Sequence, residues 1–207
     1  MLKRKLGILC MILGIVLVLG AVWLSVNNRQ EDLTAQESSA EVMPSLIDQI
    51  QENTQNLQPE LELQKPANML TEEEKQMTEM VIDGIPYIGY LSIHKLDLQL
   101  PVISTWDLSL LSIAPCRYTG TVQGEDLVLM AHNYSSHFGR IYQLELGDGI
   151  VFTDMDGNVI TYEVVGKDVL APTAVEEMTS GDFDMTLFTC NYSGESRITI
   201  YCNKIET

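Results

Sequence analysis

Residues 186–197 read TLFTCNYSGESR, where Cys190 ends an apolar, β-prone run and a tight-turn sequence leads on to Arg197. Free cysteine is among the most buried residue types, so a structural thiol is the first reading. The register of the segment supports another. If Ser193-Gly194 form a two-residue loop, Tyr192 pairs with Glu195, Asn191 with Ser196 and Cys190 with Arg197. Directly paired residues project to one face with Cβ atoms about 4.5–5.5 Å apart, which sets the guanidinium beside the sulfur. A nearby cation favours the thiolate, the form that acts as nucleophile. Met185, Leu187, Ile198, Ile200 and Cys202 then share a core face, while Thr186, Phe188, Cys190, Arg197, Thr199 and Tyr201 share the other. On that parity Cys202 is the structural thiol and Cys190 the working one.

A cysteine nucleophile needs a proton shuttle, usually histidine, and the chain has three. His94, in YLSIHKLDL, falls on the parity opposite Leu91 and Ile93 and reads as exposed. His132 ends the apolar run DLVLMA and opens the polar loop NYSSHFG, which places it at the rim of a sheet or barrel. His137, deeper in that loop, is expected to be mobile and is the reserve candidate. A structural role for His132 competes with a catalytic one at this stage. A metal site on His132 and His137 lacks further ligand spacing.

The elements that must position these groups are short strands. From about Ile82 the chain breaks into β-branched runs separated by turn signals: YIGYLSI, LDLQLPVI, CRYTGTV, DLVLMAH, GIVFTD, VITYEVVGKDVL, MTLFTC and RITIYC. Eight such strands predict an all-β domain, a closed barrel or a sandwich. Asp156-Gly157 marks a hairpin. Its D-x-D-G-N spelling faintly resembles a calcium loop, but the other ligand positions are missing, and the turn is the better reading. TAVEEMTS offers one or two helical turns.

Ahead of the strands, Leu6 to Val26 carries no charge for 21 residues, about the length that crosses a hydrocarbon core as a helix. A cleaved signal fits less well, since the run is longer than a usual h-region and no A-x-A site follows. A lipobox fails because Leu9 precedes Cys10 inside the span. Residues 1–26 carry a charge of +3, residues 27–83 carry -10, and residues 84–207 carry another -10. By the positive-inside rule the N-terminus is cytoplasmic and the remainder lies outside. A net charge of -17 makes nucleic acid an unsuitable partner. The external part holds Cys116, Cys190 and Cys202, an odd number that leaves at least one thiol free. Residues 27–80, polar and acidic with Pro44, Pro59 and Pro66, read as a solvated stalk with a spacer role and one short helix near Ser45–Leu57. The expected organisation is a basic segment (1–5), a membrane anchor (6–26), a stalk (27–80) and a catalytic β domain (81–207).

DLVLMAHNYSSHFGRIYQLELGDGI followed by TLFTCNYSGESRITIYC resembles the sortases, membrane-anchored cysteine transpeptidases of Gram-positive bacteria. The similarity runs from about Ile85 to Lys204 and includes the TLxTC box with its downstream arginine. It implies an eight-stranded β-barrel with short helices, with Cys190 as nucleophile, His132 as general acid and base, and Arg197 holding substrate and steadying the oxyanion. Thr189 matches the box threonine that helps line the substrate site. Ala131 stands where many sortases have glycine, and His94 where proline is common. The connection from Leu170 to Met185 is too short for a class B insertion, and no Asp-Pro-aromatic lid of the class C type is visible, which leaves a class D-like or divergent member.

The resemblance further implies cleavage of an LPxTG-like sorting signal through a thioacyl intermediate. The acyl group then passes to an amine of a peptidoglycan precursor or a pilin lysine. No cofactor is implied; calcium, on which some relatives depend, stays open because their ligands have no recognisable match here. A secreted cysteine peptidase and a non-catalytic tethered β-module are the competing readings.

Overall fold

The computed structural model describes residues 2–56 and 76–205. All eight expected strands form, and a short one precedes them. The strands are β1 (Met80–Ile82), β2 (Ile85–Ile93), β3 (Leu98–Ile103), β4 (Cys116–Thr119), β5 (Leu127–Ala131), β6 (Gly149–Asp154), β7 (Val159–Leu170), β8 (Met185–Cys190) and β9 (Arg197–Lys204). Neighbours run in the order β1-β2-β3-β4-β5-β8-β9-β7-β6, and β2 also pairs with β6. That last pairing closes β2 through β9 into an eight-stranded barrel with β1 added at its edge. Closure depends on a bulge between Tyr87 and Gly89. Gly89 sits at φ +139°, and a Cβ there would lie 2.1 Å from the Thr153 carbonyl oxygen, so only glycine permits the approach of β6. Leu91, Leu129, Phe152, Tyr162, Leu187 and Ile200 fill the lumen from successive strands.

The Asp156-Gly157 hairpin forms between β6 and β7, with Gly157 at φ +83°. Asp154 builds the turn: its Oδ1 accepts the amides of Asp156 and Asn158, and its Oδ2 accepts the Asn158 side-chain amide. Those bonds engage the carboxylate in a turn, as the turn reading requires. TAVEEMTS yields a single helical turn, α2 (Val175–Met178).

The expected solvated stalk is corrected for its first half. One helix, α1 (Leu2–Asn56), runs unbroken from the apolar segment through residues 27–56. Ala35, Ser39, Met43, Leu46 and Ile50 recur at helical spacing and are buried. Met43, Leu46 and Ile50 join Tyr87, Ile103, Leu111, Cys116 and Met155 in a second core on the barrel's flank. Each such side chain contributes about 1.5–3 kcal/mol on burial, so a tract acidic on average still carries a stripe that docks. Residues 57–75 of the expected stalk lie outside the described residues.

Candidate active site

Two pairings bring the chemical groups together. β5 and β8 run parallel with Ala131 opposite Thr189. Adjacent strands lie about 4.8 Å apart, so the next residue of each, His132 and Cys190, stand side by side at one end of the barrel. On the other side β8 and β9 run antiparallel, with Cys190 opposite Arg197 as the hairpin register predicts.

The turn between them differs in detail. The Gly194 amide donates to the Asn191 carbonyl at 3.0 Å and the Asn191 amide to the Ser196 carbonyl at 2.9 Å. The turn is therefore centred on Tyr192-Ser193, with Gly194 left-handed at φ +76°, and the expected Tyr192–Glu195 pair is replaced by this wider loop. Asn191 Oδ1 accepts the Ser196 amide and braces it. Arg197 Nη1 donates to the carbonyls of Gly194 and Ser196 at 3.1 and 3.3 Å, which folds the guanidinium over the turn.

The parity of the hairpin holds: Met185, Leu187, Ile200 and Cys202 are buried in the lumen, with Ile198 packed against them. The opposite face is more covered than its composition suggests, because Phe188 packs with Val128 and with Met178 of α2. Rings stack outward from it. Phe188 meets Tyr118 edge-on with centroids 5.4 Å apart, and Tyr118 stacks on Trp106 at 5.7 Å. An aromatic ladder thus extends from the face that carries Cys190, which is half-buried.

Thr189 follows the inward parity. Its hydroxyl donates to the Ala131 carbonyl at 2.8 Å, both groups buried, which locks the strand ends that precede His132 and Cys190.

The loop after His132 is tightly folded. Its Phe138 amide donates to the His132 carbonyl, and those of His137 and Gly139 donate to the Tyr134 carbonyl. A Cβ on Gly139 would lie 2.3 Å from the Asn133 carbonyl oxygen. Arg140 ties the loop down through the carbonyls of Ser135 and Leu96. Asn133 reaches across to the Asn191 carbonyl at 3.5 Å, joining the histidine loop to the cysteine strand.

The expectation that His137 is mobile is overturned. It is fully buried, with Nε2 3.4 Å from Ser39 Oγ of α1. Ser39 donates its own proton to the Ile113 carbonyl at 2.7 Å. Burial, with His132 nearby, pushes the His137 pKa down to about 4. Asp32 of α1 accepts the Ser136 amide at 2.9 Å and its hydroxyl at 2.5 Å. Burial pushes the Asp32 carboxyl up, but the bonds from Ser136 and Ser135 outweigh it and hold the pKa below its ordinary value. The sequence signal for these contacts is the small and apolar stripe from Ala35 to Ile50, which continues the helix well past the uncharged N-terminal run.

His132 itself is half-buried, and loss of hydration lowers its pKa, with the Glu31 carboxylate opposing. Burial pushes the Cys116 and Cys202 thiols up to about 12, which suits structural thiols. His94 is exposed, as its parity predicts. Among the described residues, no group of three or more His, Cys, Asp or Glu is arranged to hold a metal ion.

Comparison with known proteins agrees with this geometry. The Sortase domain family matches residues 91–205, more than half of the chain. No curated protein matches at a significant level. Among solved structures, sortase C1 of Streptococcus suis shares 26% identity and a TM-score of 0.52, over 58% of this chain and 74% of that one. Sortase A of Corynebacterium diphtheriae shares 16% identity and a TM-score of 0.55, over 89% and 96%. Sortase C of Clostridium perfringens, solved with the C-terminal cell wall sorting motif, shares 22% identity and a TM-score of 0.54, over 81% and 91%. The closed barrel, the paired strand ends that carry His132 and Cys190, and the family match over residues 91–205 lead to one conclusion: this chain belongs to the sortase family.

Proposed function

We propose that the chain is a membrane-anchored transpeptidase that cleaves an LPxTG-like sorting signal and passes the acyl group to an amine of a cell wall precursor or a pilin. The observation that carries this reading is the pair of strand registers that place His132 on one side of Cys190 and Arg197 on the other. The Clostridium perfringens relative solved with a sorting motif supports the substrate class.

With its proton taken by His132, the Cys190 thiolate attacks the threonyl carbonyl carbon, forming a C–S bond as the carbonyl oxygen becomes an oxyanion. Arg197, one of six Lys or Arg side chains from residue 84 onward, supplies charge-assisted hydrogen bonds to that oxygen. His132 delivers a proton to the glycine nitrogen as the C–N bond breaks. A histidine whose pKa burial lowers gives up that proton readily. In the second half the incoming amine attacks the thioacyl carbon, His132 takes a proton from its nitrogen, and Cys190 leaves as thiolate. The aromatic ladder of Phe188, Tyr118 and Trp106 offers an apolar wall for the residues before the threonine. No step uses a cofactor.

Among the described residues, α1 is the one helix long and apolar enough to cross a membrane. Basic residues before the span and acidic ones after it support an orientation with the barrel outside the cell. The deciding experiment incubates the full chain in detergent micelles with a fluorogenic LPxTG peptide, with and without triglycine. A ligated product that requires Cys190, His132 and Arg197 establishes the transpeptidase. Hydrolysis indifferent to the amine makes the chain a peptidase instead.

A further inference from the structure

The unbroken α1 helix fixes how far each part of the barrel stands from the bilayer. The uncharged segment ends at Val26, and a helix rises 1.5 Å per residue. Asn28, about 3 Å beyond that end, donates from Nδ2 to the Tyr192 hydroxyl at 3.3 Å. Asp32, about 9 Å beyond, holds Ser136 of the histidine loop. Ser39, about 20 Å beyond, holds the Ile113 carbonyl. Past Pro44, Asn53 binds the Met155 carbonyl at the β6–β7 hairpin. The barrel therefore has a membrane-near end and a far end, and the end that carries Cys190, His132 and Arg197 is the near one.

From these contacts we infer that the catalytic rim is seated on the lipid headgroup layer, with the 191–196 turn in contact with it and Tyr192 as its interfacial anchor. The inference rests on the reading of Leu6–Val26 as a membrane span. Tyr192 is 89% exposed at the tip of the turn, although it is a large aromatic residue. Its hydroxyl lies at the height where tyrosine is enriched in membrane proteins, with an apolar ring and a wet tip. A tilt of about 20° changes a rise of 9 Å by less than 1 Å. Arg29 and Arg197 are offset by Glu31 and Glu195 in the same region. Seating thus depends on the aromatic anchor and the rigid helix rather than on anionic lipid. The nucleophile faces the layer in which membrane-held peptides and lipid-linked amines lie.

The test places an environment-sensitive nitrobenzoxadiazole label on Ser193→Cys in a full chain carrying Cys10→Ala and Cys190→Ala, reconstituted in phosphatidylcholine vesicles. The buried Cys116 and Cys202 stay unlabelled. A matched label on Val159→Cys, exposed at the far hairpin, is the control. Lipids carrying a headgroup-level quencher should reduce emission at 193 at least about twofold more than at 159. Seven helical residues inserted after Val26 lift the barrel by about 10 Å with little rotation, and should abolish that difference. Tyr192→Ser should reduce it. Equal quenching at 193 and 159 would overturn the seating, and an unchanged signal in Tyr192→Ser would overturn the anchor. Neither readout involves peptide cleavage, so a failure of the proposed activity stays distinguishable from a failure here.

Discussion

Replacing Thr189 with valine removes one hydroxyl and keeps the shape of the side chain. In the structure that hydroxyl donates to the Ala131 carbonyl at 2.8 Å, with both groups shielded from water. A buried acceptor stripped of its partner costs about 1–3 kcal/mol, and a domain of this size loses about 3–5 °C in Tm per kcal/mol. Thr189→Val should therefore unfold about 3–15 °C lower in a thermal scan. The lost bond also ties together the strand ends that lead to His132 and Cys190. A displacement of the order of 1 Å between the proposed nucleophile and proton shuttle can cost up to about 100-fold, and a partial loosening should lower kcat about tenfold with KM nearly unchanged. Thr189→Ser, which keeps the hydroxyl, should recover most of both losses. Peptide cleavage and the thermal scan on the same preparations decide the matter. A rise in KM with kcat and Tm unchanged would refute the reasoning and make Thr189 a substrate-lining residue, as the family resemblance implies.

Alkylation of the native chain followed by peptide mapping should modify Cys190 and spare Cys116 and Cys202, whose thiols burial pushes up to about 12; modification of either before unfolding would contradict the packing described. His137, faced by Ser39, Asp32, His132 and the carbonyls of Ala35 and Ile113, has its pKa depressed from 6.5 to about 4. The unfolded chain binds the proton first, so this stability is complete above pH 6.5 and is lost as pH falls toward 4, about 3 kcal/mol in all. Denaturant titrations across that range should show the slope in the wild type, and His137→Leu should flatten it. Gly139→Ala would set a methyl group 2.3 Å from the Asn133 carbonyl oxygen. Its kcat should fall at least about tenfold through the displaced His132 loop, with near-normal alkylation of Cys190 showing that the β8–β9 hairpin is intact.

Much of the barrel was legible because its signals are local. The eight strand runs, the Asp156-Gly157 turn and the Cys190–Arg197 register each depend on residues fewer than about ten apart, where backbone geometry limits the outcomes. The exact turn was not legible, since Asn191 can brace the wider loop centred on Tyr192-Ser193 as readily as sequence suggests the two-residue one. Residues 27–56 misled through their average composition. An acidic tract reads as solvated unless the stripe of Ala35, Ser39, Met43, Leu46 and Ile50 is weighed against the barrel flank it covers, and that flank exists only after folding. His137 misled for the same reason, being a loop residue by sequence and a buried one once α1 lies over it.

By itself, then, the sequence determined an apolar segment long enough to span a membrane, the β class, the short-range pairing of Cys190 with Arg197 and the parity that sets Cys202 in the core and Cys190 on the opposite face. Tertiary structure alone decided that the strand ends leading to His132 and Cys190 lie side by side, because their juxtaposition comes from a parallel pairing of β5 with β8 across 58 residues of chain, with two barrel strands between them in sequence. Parallel neighbours are joined by long crossovers, so no turn signal marks which strands will pair. The inward aim of Thr189 and the docking of α1 beneath the catalytic rim follow from that closure, since each needs a partner surface supplied by a distant part of the chain.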